Sequence, residues 1–114
     1  MASPVLEIVP AQYAPSAQTV LYTSPTGTTT RIDKLSVQNN DSSPHLISIN
    51  LVPSGGSAGA SNLTTNGQTV RPGQTWNSPN EYGHYLNPGD SISVLADAPS
   101  VLTIAAGGTQ VAGA

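Results

Sequence analysis

The chain has 114 residues, a formal net charge of −3 and no cysteine; only 8% of its residues are charged and 4% aromatic. That length holds one domain with one core. Its three cations, Arg31, Lys34 and Arg71, are too few to neutralise a run of phosphates or an anionic membrane surface, which argues against nucleic-acid and membrane partners.

Turn residues divide the chain into short strand-like runs. Residues 1–16 hold one apolar run, Val5 to Val9, between Pro4 and Pro10, with Tyr13 and Pro15 beyond it. Prolines confine a strand to an edge or to pairing with another chain. This segment therefore reads as an extended N-terminal arm, with Val5, Leu6, Ile8, Val9 and Tyr13 as interface candidates. Its first residues, Met1-Ala2-Ser3-Pro4, carry neither a cationic n-region nor an apolar h-region, so no signal peptide is expected.

Residues 17–114 read as the β domain. Gln18 to Thr23 predicts a strand stopped at Ser24-Pro25-Thr26-Gly27. Thr28 to Asn39 predicts a longer one, whose apolar positions change phase between Ile32 and Leu35, as a β-bulge requires. Asn39 to Pro44 is a turn by composition. His45 to Val52 alternates cleanly, which predicts a hairpin with the preceding strand and a core face of Ile47, Ile49 and Leu51, joined by Ile92 and Val94.

Pro53 to Ser61 is small and polar and reads as a surface loop. Short strands are expected at Asn62 to Thr65, Gln68 to Arg71 and Gln74 to Ser78, then an irregular crossing from Asn80 to Tyr85. Ser91 to Ala96, Val101 to Ala106 and Thr109 to Val111 follow. About eight short strands at this spacing predict a single antiparallel β-sandwich or jelly roll.

Little in the chain suggests chemistry. Gly56-Ser57-Ala58-Gly59 lacks the spacing of a nucleophile elbow, and no cation follows a glycine loop to cradle a phosphate. His45 and His84 lie far apart, outside any metal-ligand spacing. Asp90 reads as a residue closing the turn at Pro88-Gly89, and His45 as a half-exposed strand residue. No catalytic residue, metal or cofactor is therefore expected. One recognition cluster stands out: Trp76, Tyr82 and Tyr85, with Asn80, Glu81 and His84. Its rings fit core packing, a protein interface or a sugar-stacking site.

Several segments have the pattern of small bacteriophage virion proteins. They are Tyr22-Thr23-Ser24-Pro25, Thr28 to Ile32, Leu35 to Asn39, Leu51-Val52-Pro53-Ser54-Gly55-Gly56, Val70-Arg71-Pro72-Gly73-Gln74-Thr75 and Leu86-Asn87-Pro88-Gly89-Asp90-Ser91-Ile92, closed by a strand from Val101 to Gly108. From Leu21 onward the chain resembles that group, and capsid decoration (cement) proteins among it; residues 1–20 lie outside the resemblance. It implies a β-sandwich or jelly-roll domain on the capsid surface of a virion, made in the bacterial host cytoplasm. Its partners would be the major capsid protein and further copies of itself, as a dimer or trimer. It implies no enzymatic activity and transfers no functional residue. A head–tail or tail component, or a carbohydrate- or receptor-binding module of a tail fibre, is the alternative.

Overall fold

The computed structural model describes residues 5–112, which fold as two antiparallel sheets packed face to face. The strands are β1 (Val5–Tyr13), β2 (Thr19–Thr23), β3 (Thr28–Asn39), β4 (His45–Val52), β5 (Leu63–Val70), β6 (Thr75–Asn77), β7 (Tyr85–Leu86), β8 (Ser91–Ala96) and β9 (Leu102–Ala112). One sheet runs β1-β9-β3-β6, with β7 also pairing β3; the other runs β2-β8-β4-β5. Strands consecutive in the chain cross between the sheets at every connection except β4/β5 and β6/β7, and the interleaved order is that of a jelly roll.

The alternation of apolar side chains explains the layers. Ile32, Leu35 and Val37 of β3 and Leu102, Ile104 and Ala106 of β9 face inward from the first sheet. They meet Ile47 and Ile49 of β4 and Ile92 and Val94 of β8 from the second. Leu51 packs against this core while remaining partly exposed. The phase change in β3 is a register shift between Ile32 and Lys34 against β9, so the bulge falls at Asp33.

Three expectations are corrected. The described part of the expected N-terminal arm, residues 5–16, is not free of the domain. Residues 1–4 lie outside the described part, but Val5–Tyr13 is an edge strand laid along β9, with Ile8 and Val9 buried in the core. Register shifts at Glu7/Val9 and Val9/Gln12 let Pro10 sit at this edge without interrupting the pairing on either side. Second, β3 and β4 do not form a hairpin. The linker from Asn40 to Pro44 crosses from one sheet to the other, so the apolar faces of β3 and β4 oppose each other instead of extending one surface. Third, the split runs around Gly67 and around Gly107-Gly108 are single strands. Gly108 is required there: a Cβ would run into the Arg31 carbonyl on β3 and press on Ile8 of β1.

The turns are locked by side chains, and the two ends of the sandwich each have a hub. At one end Asp90 accepts backbone N–H bonds from Asn87 (2.9 Å) and Ser54 (2.8 Å), while its own carbonyl accepts from Ser24 N–H (2.8 Å). This fixes three turns together, and Gly89 has no room for a Cβ beside Ser54. At the other end buried Asn39 donates to the carbonyls of Val70 and Ser43, both at 2.8 Å, and accepts from Asp41 N–H at 2.8 Å. The loop from Pro53 onward is ordered by the same kind of bond: Asn50 reaches the Gly59 carbonyl (3.0 Å) and Asn62 (2.7 Å), where a 3-10 turn, Ala60–Asn62, leads into β5.

Candidate interaction surface

The aromatic cluster divides between inside and outside. Trp76 on β6 lies opposite buried Val37 and packs against the core. Tyr85 on β7 lies opposite Arg31, six residues back along β3 and about 20 Å away at strand rise. Tyr85 and Tyr82 are 65% and 67% exposed. Trp76 is thus a partly buried packing residue, while Asn80, Tyr82, His84 and Tyr85 remain on the surface.

The sheet pairings place those tyrosines in a larger surface. Val5, Thr109, Arg31 and Tyr85 are successive ladder partners across β1, β9, β3 and β7. Thr109 shares a face of β9 with Thr103, Ala105, Gly107 and Val111, since side chains alternate at period two. Tyr13 pairs with Thr103 at the far end of the same face. Among the described residues, five of the seven exposed large hydrophobics (Val5, Tyr13, Tyr82, Tyr85 and Val111) belong to this sheet or to the segment entering β7. The outside of the first sheet therefore carries a small-residue centre, Ala105 and Gly107, flanked by Glu7, Lys34 and Ser36, with exposed apolar and aromatic side chains towards its margins.

Of the interface candidates on β1, Val5 and Tyr13 lie on this surface, and Leu6 is half-buried against the core. Ile8 and Val9 do not lie there, because β1 spends them on the interior. Residues not singled out from the sequence complete the surface: Glu7, Arg31, Asp33, Lys34 and Thr109. Their grouping depends on the β1–β9–β3 register, which joins segments about a hundred residues apart in the chain. The one local signal was the small-residue alternation from Thr103 to Thr109.

The polar part of the surface is pre-arranged. Arg31 Nε donates to Asp33 (2.7 Å), and Thr109 donates to the other Asp33 oxygen (2.6 Å). The Thr109 hydroxyl, then the Arg31 guanidinium, hold the Asp33 carboxyl below the usual carboxylate range. Arg31 is raised in turn, chiefly by its bond to Asp33. Beside this trio a shallow hollow is lined by Arg31, Ile32, Asp33, Tyr82 and Gly83.

Two other polar clusters have structural roles. Glu81 is fully buried and receives hydroxyls from Ser78, Thr64 (2.6 Å) and Thr65 (2.7 Å). It ties the crossing between β6 and β7 to β5 of the opposite sheet, so it is a clasp and not a sugar ligand. His45 places Nε2 on Asp41 (2.7 Å) and Nδ1 on Asp97 (2.9 Å), which joins the β3–β4 and β8–β9 turns. Asp41, first, and Asp97 raise the His45 pKa, and His45 lowers that of Asp41. With both ring nitrogens engaged, His45 offers no free metal ligand, and no group of three or more His, Cys, Asp or Glu among the described residues could hold a metal ion. No helix among the described residues is long and apolar enough to cross a membrane.

No protein-family model, curated protein or solved structure matches the chain.

Proposed function

We propose that this is a non-enzymatic structural protein of a bacteriophage virion, a decoration protein that binds the outside of the head and stabilises the shell. The observation that carries the reading is the outer face of the first sheet: a broad surface of small residues with exposed Val5, Tyr13 and Tyr85 and the charged Glu7, Arg31, Asp33 and Lys34, suited to contacts with other protein chains, copies of this one included. The segments that resemble virion proteins support it from another side, because they are the turn locks. Ser24, Ser54 and Gly89-Asp90 meet at one end, and Asn39 with Val70 to Gln74 at the other. A tightly closed jelly roll of this kind needs no disulfide.

A decoration protein acts by mass action. Binding only the assembled shell stabilises each site by RT ln(1 + [L]/Kd), about 2.7 kcal/mol at 100 Kd. The test is the temperature at which particles release their genome with and without the protein. Depleted particles should open at lower temperature, and identical release temperatures would refute the reading. Exposed Tyr82 and Tyr85 beside the Arg31–Asp33 hollow favour a second reading, a carbohydrate- or receptor-binding module of a tail fibre. Retention on a glycan array, lost in Tyr82→Ala, would shift the assignment there.

A further inference from the structure

We infer that two copies of this chain pair through the outer face of the first sheet, about a twofold axis that runs parallel to β9 at Gly107. The inference builds on the proposed virion role and assigns this face to self-association, which leaves the other faces of the paired protein for the shell.

The geometry is set by one row of the ladder. Glu7 on β1 and Lys34 on β3 both pair with Gly107 on β9, one on either side. They therefore stand roughly 10 Å apart, two strand spacings, with no side chain between them. Both are exposed, and neither takes part in an ion pair among the described residues. Glu7, Lys34, Ser36, Ala105 and Gly107 rim a shallow depression of about 200 Å³.

A twofold rotation about an axis along β9 exchanges left and right across the sheet. It sets Glu7 of each copy against Lys34 of the other, giving two identical ion pairs. The same rotation lays Val5 of one copy over Arg31 of the other. An axis across the strands would instead oppose Glu7 with Glu7 and Lys34 with Lys34, so the charges select one arrangement. Ala105 and Gly107 allow the two sheets to approach at the usual spacing of about 10 Å. A standard interface takes about 800 Å² from each partner. That is roughly a seventh of the 5838 Å² this chain exposes, within reach of one face of a two-sheet protein.

The test is the sedimenting mass of the purified full chain. Wild-type protein should be a dimer at micromolar concentration. Glu7→Lys and Lys34→Glu should each weaken it by roughly tenfold or more, since two attractions become two repulsions. Combining both substitutions restores opposite charges across the axis and should return the dimer to near wild-type affinity. Both sites are exposed, and circular dichroism with melting curves checks that each variant remains folded. A monomeric wild type, a trimer, single variants as tight as wild type, or a double variant no better than the singles would each overturn the inference. The readout uses no particles, so its failure is separate from failure of shell binding.

Discussion

At the scale of single residues, buried polar side chains fix how crossings and turns meet the opposite sheet. Glu81 is the clearest case: a carboxyl fully enclosed, with three hydroxyls donating to it. Glu81→Ala removes the acceptor and orphans the buried Thr65 and Ser78 hydroxyls, so it should cost about 2–4 kcal/mol. Glu81→Gln keeps an acceptor oxygen and should cost less; urea unfolding midpoints of the two variants check the order. His45 gives a pH prediction with a definite sign. Its folded pKa is raised by Asp41 and Asp97, so its stabilising effect is complete below the ordinary histidine value of 6.5 and is lost as pH rises through the folded value. Asp41 is lowered, so its contribution is present above 3.8 and disappears as pH falls through its folded value. Thermal stability should therefore be highest between those limits and decline on the alkaline side, and His45→Gln should remove that alkaline decline.

At the scale of elements, β1 decides how the N-terminal segment is understood. Prolines at positions 4, 10 and 15 suggested a segment that reaches outward. The strand instead covers β9 and puts Ile8 and Val9 into the core, with Ala14 anchored by its N–H on the Leu102 carbonyl at 2.8 Å. Deleting residues 2–13 should therefore not leave a sound domain. It uncovers the β9 edge and opens the core beside Ile104 and Ala106, and an unpaired apolar edge promotes aggregation. The expected result is a protein recovered mainly as aggregate, or one with a much lower melting temperature. A truncated chain melting close to the full chain would show that β1 is dispensable.

At the scale of the whole molecule, the low overall charge determines the response to salt. At about 1 M salt the Debye length is near 3 Å, which removes most of the benefit of exposed ion pairs. Contacts built on apolar side chains persist. On the proposed reading, particles washed in about 1 M NaCl should retain this protein, which gel analysis of the washed particles reveals; loss on washing alone would contradict it.

The sequence by itself determined several strands and turns, but it split β5 and β9 and read β1 as an arm. Thr28–Asn39 and His45–Val52 were bounded to the residue, and the bulge near Asp33 was located, because period-two alternation and turn chemistry are local properties. Which strand pairs with which was settled only by the tertiary structure. β3 and β4 have compatible patterns and a turn between them, yet they lie in different sheets, since burying both apolar faces requires them to oppose each other. The same holds for the surface. Tyr82 and Tyr85 were visible as aromatics, but their separation from Trp76 follows from which face of β3 each partner meets. Glu7 and Lys34 become neighbours only because β9, from the far end of the chain, lies between β1 and β3 and places Gly107 between them.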